Sequence, residues 1–189
     1  GPLDPLVDML DRASILLTPH QLTPEETQQA IVDNEICSLS HGTYNLGFVG
    51  VRNDVSGRKM ANWWNDRLLD YCIDDRAAGI FVDQKWCDLI PAMFDNVMIL
   101  RDPGYNVASW NLSNRKIEVG ADGTCSVNGS KLRFFHFTKL GPIGDTMTRK
   151  YARDNVEVYE LWSWYKREVD RHAEPGIPAN WWYYGQFDN

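Results

Sequence analysis

The sequence predicts an α/β protein with flanking helices and an antiparallel β-meander. Three observations carry that expectation. Helical and strand-like apolar patterns alternate through the first hundred residues. Two tight-turn signals, Ala121-Asp122-Gly123 and Asn128-Gly129, then join short β-rich runs. A long helical stripe closes the chain.

The elements follow in order. Asp4 or Pro5 opens a short helix with Leu6, Met9 and Leu10 on one face. Ala13 to Leu17 reads as a buried strand, stopped by Thr18-Pro19-His20. Thr23-Pro24-Glu25-Glu26 has the form of a capped helix start, with a helix running to about Ile36. Tyr44 to Val51 reads as a buried strand whose glycines imply close approach by a neighbour. Met60, Trp63, Trp64, Arg67, Leu68 and Tyr71 recur at helical spacing, predicting a helix from Gly57 to Tyr71. Trp86, Leu89, Ile90 and Met93 repeat the pattern. Val97 to Leu100 is a short strand. Lys116–Val119, Thr124–Val127 and Lys131–Phe137 form the meander. Asp154 to His172 is the final helix, and an aromatic tail, Asn180 to Gln186, follows Pro175 and Pro178. The expected organisation is a single domain over 1–189, with the helix and tail in 151–189.

The bulk properties exclude several classes. The 189 residues carry a formal net charge of −7 and show no basic stripe, which argues against nucleic-acid binding. With 43% hydrophobic residues the chain can bury a core. No apolar run is long enough for a membrane span, and there is no secretory signal. Cys37, Cys72, Cys87 and Cys125 are scattered, as expected of reduced thiols in a cytoplasmic protein. The chain opens Gly1-Pro2 without Met, which reads as a protease scar or as a start within a longer protein.

Chemistry concentrates at four places, and each allows two roles. Asp83-Gln84 ends the apolar run Ile80-Phe81-Val82 where a helix begins. Asp83 serves there as a helix cap or faces a reacting bond. His136, in Phe134-Phe135-His136-Phe137, is a hydrogen-bonded core histidine or a metal ligand through a neutral imidazole nitrogen. Strand alternation puts Phe135 and Phe137 on one side and Phe134 and His136 on the other. Asn45 and Gly47 lie inside a strand. Asn45 ties down a loop or contacts a ligand, and Gly47 makes room for a passing group. Tyr105-Asn106 and Trp110-Asn111 form a polar-aromatic loop, either an ordinary packed turn or a surface for a sugar. Templates for phosphate-binding loops, zinc proteases and serine hydrolases are absent, and nothing marks any one cysteine as a nucleophile.

The order of these motifs resembles the C-terminal half of GT-A type nucleotide-sugar glycosyltransferases. They are Tyr44-Asn45-Leu46-Gly47-Phe48-Val49, Phe81-Val82-Asp83-Gln84, Arg101-Asp102-Pro103-Gly104-Tyr105-Asn106-Val107-Ala108 with Trp110-Asn111, and Phe135-His136-Phe137. The likeness is to retaining enzymes of the lipopolysaccharide galactosyltransferase and glycogenin kind and to bacterial group-1 relatives. It covers Leu3 to Leu140 and implies a partial GT-A mixed sheet. It further implies that Asp83 and Gln84 act at the transferred sugar, with Asn45, Gly47, Tyr105, Asn106, Trp110 and Asn111 lining the pocket. His136 would ligate a Mn²⁺ or Mg²⁺ ion on the diphosphate. Lys139 carries over weakly, since Phe137-Thr138-Lys139 departs from the family's spacing.

The implied reaction is metal-dependent transfer of a sugar from a nucleotide-diphosphate sugar to a glycan or lipid-linked acceptor. Peripheral membrane association and a homodimer fit the same picture. One departure stands out. The acidic D-x-D motif of the family is missing, and Asp74-Asp75 falls in the wrong order. The expectation is therefore a C-terminal portion without its nucleotide-binding half, whose exposed sheet edge dimerisation would cover. The rival readings are a non-catalytic carbohydrate-binding or scaffold module, and a small hydrolase using Asp83 as base.

Overall fold

The computed structural model describes residues 2–174 together with Gly176 and Ile177. The aromatic tail expected over Asn180 to Gln186 lies outside the described residues. The chain divides into two compact units, Gly1–Asn155 and Val156–Asn189.

The first unit is mixed α/β. In chain order it contains α1 (Asp4–Leu10), β1 (Ile15–Pro19), α2 (Gln28–Ala30), a π-helical turn (Ile31–Ile36), α3 (Cys37–His41), β2 (Tyr44–Val51) and α4 (Val55–Tyr71). The hairpin β3 (Asp74–Asp75) and β4 (Ile80–Phe81), a 3₁₀ turn (Lys85–Leu89), α5 (Ile90–Met93) and β5 (Val97–Ile99) come next. A second 3₁₀ turn (Ser109–Asn111), the strands β6 (Ile117–Val119), β7 (Cys125–Val127) and β8 (Ser130–Lys131), and α6 (Pro142–Ala152) complete it. The second unit holds α7 (Val156–Arg171), in which Lys166 Nζ lies 5.8 Å from the centre of the Trp162 ring.

The central sheet has the order β2-β1-β5, with β1 antiparallel to β2 and parallel to β5. Ile15, Leu16 and Leu17 of β1 are fully buried because both faces of this strand are covered. Alternation divides them. Ile15 and Leu17 pack with Tyr44, Met60, Cys87 and Ile90, while Leu16 packs with Leu6, Ala13, Leu100 and Tyr105. Each such side chain contributes about 1.5–3 kcal/mol by leaving water.

The pairing of β1 with β2 slips near its end. Leu17 faces Val49, but Pro19 faces Tyr44, so Asn45 to Phe48 bulge opposite Thr18. The Thr18 hydroxyl fills the broken ladder, reaching the carbonyl oxygens of Asn45 at 3.1 Å and Phe48 at 3.4 Å. This slip places His20 beside Thr43, whose carbonyl accepts from the His20 N–H at 2.9 Å.

Several expectations are corrected. The helix does not begin at Thr23. Thr27 caps it instead, accepting from Ala30 N at 3.2 Å, and the Glu25 carboxylate is spent on Asn34 and Ser113. The run Lys131–Phe137 is not one meander strand. Pairing with β7 ends after Ser130 and Lys131 and the Leu132 N–H to the Cys125 carbonyl, because Arg133 N and His136 N turn to the carbonyls of Gly104 and Val107. Phe135 bridges to Val107 in parallel fashion. The helix α6 was not anticipated, although Gly141-Pro142 carries the Pro-first signature of a helix start. Asp83 forms no cap: Gln84 holds the N-cap position of the following turn, without a side-chain cap bond. Among the described residues no helix is long and apolar enough to cross a membrane. All four cysteines are unbridged.

Candidate functional site

The bulge of β2, the end of β1 and the π-helical turn meet at a cleft of about 440 Å³. A π-turn widens the helix by one residue per turn and is frequent at functional sites. Here it carries Asp33 to the cleft, and α3 beyond it brings Cys37 and His41. His20, Asn45, Gly47 and Gln84 form the opposite wall, and Trp110 and His136 close it. Trp110 packs edge-on against His136, with ring centres 5.3 Å apart, and lies 5.6 Å from His20.

Asn45 is the hub. Its Oδ1 accepts from the N–H of Gly47 at 2.8 Å, from Asn106 Nδ2 at 3.0 Å and from His136 Nδ1 at 3.0 Å. Its Nδ2 faces His20 Nε2 at 3.1 Å. Beneath it Asn106 is fully buried and also donates to the Thr18 hydroxyl at 3.2 Å. Asn106 sits at φ 51°, a conformation asparagine tolerates better than most residues. Asn111 braces this turn, donating to the Asn106 carbonyl at 3.0 Å and accepting from Ala108 N at 2.9 Å. Two polar atoms in this region, Asn106 Oδ1 and Trp110 Nε1, are buried without a hydrogen-bond partner, an expense that native interiors rarely carry.

Gly47 is dictated by His136. A Cβ there would overlap His136 Nδ1 and stand 2.6 Å from Asn45 Oδ1. Gly47→Ala is expected to cost about 1–3 kcal/mol by overpacking, read as a lower urea midpoint at unchanged slope. An unchanged midpoint would show that the imidazole yields freely.

Electrostatics keep both histidines neutral. Burial lowers the His20 pKa to about 4, outweighing the raising effects of the Thr43 and Gly42 backbone. Burial likewise lowers that of His136. The Asp33 carboxylate is held below its usual range by hydrogen bonds from Lys150 and from Tyr151, the latter at 2.6 Å. Cys37 lies beside His41, with Sγ 3.3 Å from Nδ1, yet burial pushes its thiol pKa up and the His41 N–H also points to the Cys37 carbonyl at 2.8 Å. That arrangement does not activate a thiolate.

The structure brings together Asn45, Gly47, Gln84, Trp110, His136 and Lys139 at the cleft. Gln84 is tethered there: its Oε1 accepts from Leu46 N at 3.2 Å and its Nε2 donates to the His41 carbonyl at 3.1 Å. Asp83 does not line the cleft, and its carbonyl accepts from Trp64 Nε1 at 3.1 Å. Tyr105 is a core residue, 3% exposed and edge-on to Phe134. Asn106 and Asn111 support the wall from below. Sequence reasoning missed His20, Asp33 and Arg115. Arg115 is buried and donates to the carbonyls of Pro103 at 3.1 Å and Tyr105 at 2.6 Å, which clamps the Asp102–Asn106 turn. For His20 the available signal was its place at a strand end, directly after Thr18-Pro19.

Two curated relatives share part of this chain. It is 32% identical over 97 residues to the uncharacterized protein YfnF of Bacillus subtilis (strain 168), covering 51% of this chain and 32% of that protein. It is 27% identical over 128 residues to the uncharacterized protein YfnD of the same organism, covering 67% of this chain and 38% of that protein. The chain thus spans about a third of the length of the curated relatives it matches. No protein-family model and no solved structure matches it.

Proposed function

We propose that this chain forms part of a metal-dependent glycosyltransferase that moves a sugar from a nucleotide-diphosphate sugar to a glycan or lipid-linked acceptor. The observation that carries the reading is the place of His136 on the cleft wall. Its Nδ1 is engaged by Asn45, and no hydrogen bond to its Nε2 is found among the described residues. A neutral imidazole so placed fits one ligand position of a divalent cation.

Among the described residues no group of three or more His, Cys, Asp or Glu side chains gathers to hold a metal ion. His136 would therefore be one protein ligand beside phosphate oxygens, and a bound Mn²⁺ or Mg²⁺ would neutralise the departing diphosphate. The chain's own residues do the rest. Trp110 offers an aromatic wall, and Lys139 brings positive charge to the same cleft. Gln84 holds α3 against β2, and so fixes the cleft's width.

The carbohydrate-binding alternative draws on a different observation. Among the described residues the one carboxylate lining the cleft, Asp33, is paired with Lys150 and Tyr151, and Asp83 lies off the lining. Calorimetry on the full-length gene product with Mn²⁺ and UDP or GDP, followed by a transfer assay, separates the two. The expected result is Mn²⁺-dependent nucleotide binding that weakens at least about tenfold in His136→Ala. Asp83→Asn is expected to leave both binding and transfer intact, since Asp83 lies off the cleft's lining. Nucleotide binding indifferent to His136→Ala overturns the metal role, and sugar binding without nucleotide binding selects the alternative.

A further inference from the structure

We infer that Asn45 is a positioning residue that holds His136 in its Nδ1–H tautomer, so that the Nε2 lone pair is the atom offered to the cleft. The assignment follows from two fixed ends of one hydrogen-bond chain. At one end the Gly47 backbone N–H can only donate, and it lies 2.8 Å from Asn45 Oδ1. The side of Asn45 facing Gly47 is therefore its oxygen, and the side facing His20 is its NH₂. At the other end the Thr43 carbonyl can only accept, and it lies 3.2 Å from His20 Nδ1. His20 thus carries its proton on Nδ1 and receives the Asn45 NH₂ on Nε2. Both ends give the same orientation of the amide.

The consequence falls on His136. Its Nδ1 faces an oxygen that already accepts from Gly47 and from Asn106, so Nδ1 must donate. A neutral ring with its proton on Nδ1 has its lone pair on Nε2. This is the less favoured tautomer of free histidine, so the protein has to impose it. The bulge in β2 makes the arrangement possible, because it brings Asn45 Oδ1 and the Gly47 N–H to one point, and Gly47 leaves room for the ring. Asn45 accordingly acts through His136 and contributes no ligand atom itself. A backbone carbonyl or carboxylate that fixes a metal-binding histidine by its second nitrogen is a common device, and here an amide oxygen does the same.

The role of the lone pair toward a cation rests on the proposed function, whereas the tautomer does not. The test is a long-range ¹H–¹⁵N spectrum of histidine side chains in the ligand-free protein, at a pH where the rings are neutral. The expected pattern shows protonated Nδ1 and unprotonated Nε2 for both His20 and His136. Finding the proton of His136 on Nε2 overturns the inference without any variant. In Asn45→Ala the His136 Nε2 resonance is expected to shift toward the protonated position. Asn45→Asp keeps an oxygen toward His136 and is expected to restore the unprotonated position. A His136 tautomer that is the same in all three proteins also overturns it. Absence of Mn²⁺ and UDP binding alongside the expected tautomer pattern defeats the metal reading and leaves the positioning role intact.

Discussion

Asn45→Ala is expected to lower the folding stability by about 3–5 kcal/mol, measured by urea unfolding. The size comes from what the substitution strands. Gly47 N, Asn106 Nδ2 and His136 Nδ1 lose their common acceptor, and His20 Nε2 loses its donor. Each unsatisfied buried group costs about 1–3 kcal/mol. The sum is held below the simple total because Asn106 Nδ2 retains the Thr18 hydroxyl and water from the cleft can reach the His136 ring. Asn45→Asp keeps the acceptor and removes only the donor to His20, so its loss is expected to be smaller. A loss under about 1 kcal/mol in Asn45→Ala would mean that these groups are already hydrated in the folded state. The hub would then be a loose surface cluster and not a buried network.

The parts of the fold that rest on local pattern were legible in the sequence. Tyr44–Val51 forms the strand expected from its β-rich run, and the helix ending at Tyr71 starts two residues early because Asp54 caps it. Asn45 and Gly47 were conspicuous because neither residue belongs in a strand interior without a reason, and the reason is the bulge they share. Of the alternation expected around His136, the pairing of Phe135 with Phe137 is seen, their rings stacked with centres 4.5 Å apart. Long-range pairing hid the rest. His20 reaches Asn45 only through the slipped register of β1 and β2, which no local window contains. The π-turn at Ile31–Ile36 was hidden by a competing cap signal at Thr23. Tyr105 looked like a ligand-facing aromatic, yet the Arg115 clamp turns its backbone so that the ring enters the core. Asp83 and Gln84 are neighbours in sequence, but only Gln84 lines the cleft, after Val82 adopts φ 37°.

Stability is expected to fall as the pH drops from about 6.5 to about 4, by up to about 3 kcal/mol, because His20 resists protonation in the folded state. Burial depresses its pKa from 6.5 to about 4. The sign follows from linkage. Above pH 6.5 the ring is neutral in both states and contributes no pH dependence. Between 6.5 and 4 the unfolded chain binds the proton and the folded chain does not, so the unfolded state gains. Below about 4 both bind it and the loss stops growing. One pKa unit is worth about 1.4 kcal/mol, which sets the ceiling. His136 is depressed by burial as well and acts with the same sign. The carboxylates with lowered pKa, Asp33, Asp54 and Asp122, start from 3.8 and lose their contribution only below it, so their effect is separable. The hydrogen-bond network acts in the same direction as burial. A proton on His20 Nε2 would meet the Asn45 NH₂, donor against donor, and relieving that clash would require turning the amide against the Gly47 N–H. Urea unfolding at pH 7.0 and 4.5, in the native protein and in His20→Gln, makes the comparison. The glutamine can accept from Asn45 but does not titrate, so the slope of stability with pH is expected to flatten. An equal slope in both proteins would place the titrating group elsewhere.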